Sequence, residues 1–333
     1  MPVNKPVWER YLDGSIEGAK HNREHQKLFA AQSKAPLYAA AAPNVMDREP
    51  AKDIFLGRYA LMGMESLYGR NFRFFPQYQE WGTCVGQSHA FLSTITVGVS
   101  SLLSGLRFPG RIAVAPIYAG SRVEIGKNPG TWEGSVGSWA AQWLTKYGCV
   151  TYRELGHDDN PKDDKAWLKT MKADETQAMK WTASRDGVPP ATEQTSRIMP
   201  IQHAPLVQTV DEVKAALTNL TPVNICSLVH PSQNLDSKGV SVSARRGGGH
   251  STGIIGQYFD GSQWWFDHVN SWWYYYRGGF CRPGNKRDAQ FKGAVNRINE
   301  QTLQAMLQER DSYALVGVQG LEPIDQEYSR LMA

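Results

Sequence analysis

Four cysteines in 333 residues (Cys84, Cys149, Cys226 and Cys281) are too few and too unevenly spaced to form a disulfide framework, and no C-x-x-C pair points to a metal knuckle. Long apolar runs are also missing. No stretch reaches the length of a membrane span, and no basic start leads into an apolar core of the signal-peptide kind. A strong excess of charge of one sign is absent as well: the net charge of +4 is spread along the chain and gives no reason to expect nucleic acid or a membrane surface. These absences lead to the expectation of a cytoplasmic, reduced protein without a cofactor. A hydrophobic content of 41% and a charged content of 20% describe an ordinary globular chain, long enough for one large domain or two lobes.

Two histidine-containing stretches invite a metal reading, and the residues argue against both. His21-Asn22-Arg23-Glu24-His25 matches an H-x-x-E-H pattern, but it lies in a mostly charged segment with no evident third ligand. His157-Asp158-Asp159 runs into Asn160-Pro161-Lys162-Asp163-Asp164, the composition of a solvated turn and helix start. No metal is expected. Residues 1–34 read as a polar helical segment, and 35–45 as a linker bounded by prolines.

The remaining chain changes character near its middle. An apolar, proline-free run from Val85 to Leu106 predicts a buried helix stopped at Gly105. Trp139, Trp143 and Leu144 recur at helical spacing, which predicts a second helix over Ser138–Tyr147, ended by Gly148. Residues 157–200 are polar and broken by prolines. A short helix over Asp211–Leu220 then leads into strands at Thr221–Val229, Ser251–Phe259, Gln263–Val269 and Ser312–Val318. A helical half followed by a strand-rich half predicts an α+β arrangement.

Three short blocks carry chemistry. In Gln79-Glu80-Trp81-Gly82-Thr83-Cys84 a cysteine stands at the start of the apolar helix, where unpaired N–H groups and a partial positive charge lower a thiol pKa. Gly247-Gly248-Gly249-His250 precedes an apolar strand. The Lys-Ser/Thr of a phosphate loop is missing there, and the glycines are read as letting the backbone pass close to a neighbouring element. Val269-Asn270-Ser271-Trp272 follows the next strand. Taken singly, Cys84 is most simply a small buried hydrophobe and His250 a structural histidine. The three blocks together are a different matter.

In that order they resemble the papain family of cysteine peptidases. Gly134-Ser135-Val136-Gly137-Ser138, with the helix behind it, is similar to that family's substrate-cleft glycines, and Asp211–Val229 resembles the start of its second lobe. The resemblance covers roughly residues 72–320. It implies a papain-like two-lobed fold: an N-terminal extension over 1–70 (a pro-segment or an assembly anchor), a helical lobe over 71–204 carrying the nucleophile, and a barrel-like, strand-rich lobe over 205–333 carrying His and Asn. It also implies roles. Cys84 is the nucleophile, His250 its ion-pair partner and proton donor, and Asn270 orients the imidazole. Trp272 shields the Asn–His bond, Gln79 contributes to the oxyanion hole with the Cys84 N–H, and Gly134 and Gly137 bind substrate.

The pattern departs from the family in several places. Gln79 stands one residue nearer the cysteine than usual and Gln77 one too far. Val85 replaces a tryptophan, and the cysteine that normally precedes the nucleophile in a disulfide is absent. Trp273 replaces a glycine, and the interval from Cys84 to His250 is long.

The expected activity is hydrolysis of peptide or related amide bonds in a polypeptide through a thioester. Two alternatives stand beside it. One is a peptidoglycan-cleaving amidase or lysin on the same scaffold, carried by a virus or phage and present in its virion. The other is a catalytically silent structural subunit that meets other subunits of an assembly through residues 1–70.

Overall fold

A computed structural model describes residues 7–13, 15, 18–19, 38–41, 46, 48–70, 72–241, 243–273, 275–276, 288–291 and 293–322. The His21–His25 pattern and Cys281 lie outside the described residues.

The Cys84–Ser104 helix is the axis of the molecule. It is buried along almost its whole length, and it stops at Gly105, whose φ of 62° is the left-handed conformation that glycine adopts without strain. Against it lies the Leu56–Tyr68 helix, which presents Leu56, Ala60, Leu61 and Met64 as one apolar face. Gly63 and Gly98 meet at this crossing: a Cβ on Gly63 would land on the carbonyl oxygen of Gly98, so the two backbones touch directly. The Val114–Gly120 and Gly137–Lys146 helices pack on the other flanks.

The second lobe is an antiparallel sheet. Its strands are β3 (Val223–Pro231), β4 (Ala244–Phe259), β5 (Trp264–Val269), β6 (Val295–Asn299) and β7 (Ser312–Ala314), in the order β6-β5-β4-β3-β7. An early strand, β1 (Asp53–Phe55), adds to β4, so the chain just ahead of the first lobe is stitched into the second. A separate pair joins β2 (Ile201–His203) to β8 (Val316–Val318). The α+β architecture, helical first and strand-rich second, is therefore present.

The helix start expected within Asn160–Asp164 is present, and two other local expectations need correction. The polar stretch 157–200 contains a 20-residue helix, Asp164–Ala183, started by Asp163, whose side chain accepts the Ala166 N–H at 2.8 Å. Its inward stripe (Trp167, Thr170, Met171, Asp174, Glu175, Ala178, Thr182) includes two buried carboxyls, which hide the helical period from a count of apolar residues. The strand expected over Ser312–Val318 is two strands in different sheets, separated at Leu315. Finally, β4 begins at Ala244, so the glycine triplet lies inside a strand rather than ahead of one.

Candidate active site

Cys84 is the first residue of its helix and is wholly buried. Its Sγ accepts the backbone N–H of Ser251 at 3.3 Å, a contact that favours negative charge on sulfur. Ser251 is fixed from behind by a buried polar knot: its hydroxyl lies 2.5 Å from that of Ser88, and the Asn224 amide donates to both, at 2.9 and 2.8 Å. Cys149 and Cys226 are also buried thiols. Burial pushes Cys149 up to about 12, and burial together with Asp311 pushes Cys226 well above the ordinary thiol range. Neither is placed for nucleophilic chemistry.

His250 sits in β4 opposite Ser227 of β3, and Asn270 follows the last residue of β5. Hydrogen bonding between β4 and β5 therefore brings two residues twenty positions apart into contact: His250 Nε2 lies 2.9 Å from Asn270 Oδ1. The Ser271 N–H donates to the same oxygen at 2.7 Å, which identifies that atom as an acceptor and requires Nε2 to carry the proton. Nδ1 is then the basic nitrogen. Trp272 covers the pair, with its ring 4.2 Å from the imidazole and 17° from parallel. Burial, and then the neighbouring His230, hold the His250 pKa well below its usual value, and the bond to Asn270 only partly offsets them. In this closed form the imidazole is neutral.

Gln79 is buried beside this set. Its side-chain oxygen accepts from Ser271 Oγ, and its amide donates to the Trp81 carbonyl at 2.9 Å. Gln77 is also buried, and its backbone carbonyl accepts the Trp273 N–H at 2.8 Å. Gln79 through its side chain and Gln77 through its backbone both join the loop ahead of Cys84 to the turn carrying Asn270. Gly134, at φ 101°, donates its N–H to the Tyr118 hydroxyl at 2.9 Å. Gly137 opens a helix. Its N–H is taken by Asp311 at 3.0 Å, and a Cβ there would meet Cys226 Sγ at 2.7 Å, so this glycine serves close packing beneath the cleft.

Gly18 and Ala19 of the N-terminal region bond to segments on either side of the site. Gly18 and Ala19 both donate backbone N–H bonds to the Gly249 carbonyl at 2.9 Å, and the Ser135 N–H donates to the Gly18 carbonyl at 2.8 Å. Ala19 and Ser135 form a parallel bridge, and both residues are fully buried. One strap thus touches the residue beside His250 and the residue beside Gly134. Arg10 in the short Val7–Leu12 helix adds an ion pair to Glu133 at 2.8 Å.

Several contributors carry no sequence signal: the Ser251 N–H and the carboxylates Glu133 and Glu175. Each acts through a contact made by folding. His157-Asp158-Asp159 is engaged elsewhere. The His157 ring lies 3.3 Å from the Gln177 side-chain oxygen, and Asp159 accepts from Tyr68 at 2.7 Å and from Arg153 at 3.3 Å. Among the described residues no helix is long and apolar enough to cross a membrane.

Comparison with family models finds no match, and neither does comparison with curated protein sequences. Solved structures do match. Xylellain, a cysteine protease from Xylella fastidiosa, is similar over 90% of this chain and 91% of its own, at 14% identity and a TM-score of 0.50. The cysteine protease and lectin-like domains of Cwp84, a surface-layer-associated protein of Clostridium difficile, are similar over 95% of this chain and 63% of theirs (14% identity, TM-score 0.48). A procathepsin B from Trypanosoma congolense is similar over 88% of both chains (11% identity, TM-score 0.43). The chain has the papain-like cysteine-peptidase fold.

Proposed function

We infer that this protein is a thiol hydrolase that cleaves peptide bonds in polypeptides through Cys84, His250 and Asn270. The observation that carries the reading is the pair of hydrogen bonds on Asn270 Oδ1. They put the proton on Nε2 of His250 and leave Nδ1 as the base, while the neighbouring Ser251 N–H holds the cysteine sulfur.

The chemistry follows from those roles. Cys84 passes its proton to His250 Nδ1, and the sulfur attacks the scissile carbonyl carbon. The C=O electrons move to oxygen, where the Gln79 amide and the Cys84 N–H stabilise the charge. Collapse expels the amine, which takes the proton back from His250 and leaves a thioester. Water, deprotonated by His250, then attacks the thioester carbon. The acid is released and the thiol restored. Asn270 holds the ring in position throughout, and Trp272 keeps water from the Asn–His bond.

The same reading assigns the N-terminal extension as a pro-segment. A strap hydrogen-bonded to Gly249, beside His250, and to Ser135, beside Gly134, excludes substrate until it leaves. With the strap gone, water reaches the imidazole, the burial that keeps it neutral is relieved, and the thiolate–imidazolium pair is favoured.

The test is hydrolysis of a quenched fluorescent peptide library by the full chain, before and after limited proteolysis of the segment ahead of β1, with intact mass measured during turnover. An acyl adduct on Cys84, absent in Cys84→Ala and His250→Ala, is the expected result. Failure of the trimmed protein both to turn over peptide and to acylate would overturn the reading and favour a silent subunit.

A further inference from the structure

The loop Glu80–Thr83 stands between the two groups assigned to the oxyanion hole, the Gln79 amide and the Cys84 N–H. Of its side chains, Trp81 is 42% exposed, and Glu80 accepts from the Tyr78 hydroxyl at 2.8 Å and pairs with Lys172. Its backbone donors are held as well. The Glu80 and Trp81 N–H groups donate to the two carboxylate oxygens of Glu175, at 2.8 and 3.1 Å, and the Thr83 hydroxyl donates to the Trp81-bound oxygen. The Gly82 N–H donates to Glu133 at 2.6 Å, and a Cβ on Gly82 would press on the Glu133 side chain at 2.7 Å. Three consecutive amides and a hydroxyl thus end on two carboxylates, in a loop without a disulfide.

Glu175 is almost wholly buried, on a helix that is anchored independently of the loop. In that helix Asp174 accepts the Val114 and Ala115 N–H groups, at 2.8 and 3.2 Å, and Trp167 donates to the Pro76 carbonyl at 2.9 Å. A buried carboxyl is costly to keep without donors, and here the donors all come from the loop. The consequence reaches Gln79, because the Trp81 carbonyl, which accepts from its amide, belongs to the residue whose N–H Glu175 holds.

We propose that Glu175 is a positioning residue for the oxyanion hole: by clamping Glu80, Trp81 and Thr83 it sets the Gln79 amide and the Cys84 N–H toward the developing oxyanion. The proposal rests on the thiol-hydrolase reading above. It separates reactions that form an oxyanion from those that need only the sulfur. Peptide hydrolysis, and binding of a peptide aldehyde (whose carbonyl oxygen becomes the hemithioacetal oxygen when sulfur adds), depend on the hole. Alkylation by iodoacetamide, in which sulfur displaces iodide, does not.

The experiment compares wild type, Glu175→Gln, Glu175→Asp and Thr83→Val, each as the full chain and after trimming of the segment ahead of β1. In Glu175→Gln one acceptor oxygen becomes a donor facing a donor. The expected result is a loss of kcat and of aldehyde affinity of ~10- to 100-fold, with KM and the Cys84 alkylation rate within about twofold of wild type. Glu175→Asp should recover part of the loss. Thr83→Val, which removes a single donor and spares the carboxylate, should show a smaller loss with the same split. Alkylation falling in step with kcat, or hydrolysis unchanged, in the folded Glu175→Gln or Thr83→Val protein would overturn the positioning role and leave the hydrolase reading standing. A trimmed wild type that neither hydrolyses peptide nor binds the aldehyde would overturn the reading itself, and the positioning role with it.

Discussion

The imidazole of His250 lies flat beneath the indole of Trp272, with ring centres 4.2 Å apart, while its Nε2 meets Asn270 Oδ1 at 2.9 Å. The stacking and the hydrogen bond fix the same ring in two perpendicular senses, tilt and rotation. The ring is thereby fixed before any substrate arrives.

Removing either restraint should lower turnover more than binding. Asn270→Ala is expected to reduce kcat by ~10- to 1000-fold with KM little changed, since orientation of the base matters in the transition state. Trp272→Ala should act less strongly, by admitting water to the Asn–His bond. Steady-state kinetics on one fluorescent peptide checks both, and a rise in KM alone would argue against the assigned roles.

The pro-segment assignment predicts that weakening the strap exposes the thiol. Arg10→Glu replaces the 2.8 Å ion pair with Glu133 by a like-charge contact. Iodoacetamide labelling of Cys84, followed by peptide mass spectrometry, should speed up severalfold in this variant and further after trimming. Equal rates in all three forms would remove the strap from the account.

Measured against Asp267→Asn, the stability of the wild type should fall as pH rises from about 5 to 7. Burial pushes Asp267 up to about 7 despite the neighbouring Arg297. In the unfolded chain this group is ionised above about pH 5, so in this window the folded protein binds more protons and raising the pH favours unfolding. The retained proton contributes a slope of about 1.4 kcal/mol per pH unit. The buried histidines His89, His230 and His268, each lowered to about 4, act in the opposite sense, but equally in both proteins, and cancel in the comparison. Urea unfolding of both proteins at about pH 5, 6 and 7 measures the difference, and equal slopes would argue against a proton on Asp267.

Gly63→Ala should be among the most damaging small substitutions in the chain. The added methyl would occupy the place of the Gly98 carbonyl oxygen, forcing apart the two helices that carry the core of the first lobe. A loss of ~3 kcal/mol or more is expected, read from the urea midpoint, because overpacking at a backbone contact has no side chain to yield. Gly69→Ala, where a Cβ meets nothing nearby but φ 76° and ψ 172° fall in a region essentially confined to glycine, should cost ~1–3 kcal/mol from backbone strain alone.

Cys84 at a helix start, the stop at Gly105, the alternating strands and the α+β order of the halves were all legible in the sequence, because each is written in residues close together along the chain. Helix ends and strand faces answer to local sterics and to the 3.6 and 2.0 periods of the backbone. The start of the Asp164–Ala183 helix was legible but its length and inward face were not, since its inward stripe includes Asp174 and Glu175, carboxyls that look like surface until their partners are known. Nor did the sequence foresee that Gly137 packs against Cys226, or that Gly18 and Ala19 bond to Gly249 beside His250. Those outcomes depend on hydrogen bonds and contacts between groups that only the completed fold brings within reach. The amino-acid order named the candidate side chains and the class of architecture. The tertiary structure decided which nitrogen of His250 carries the proton and what holds the loop ahead of Cys84.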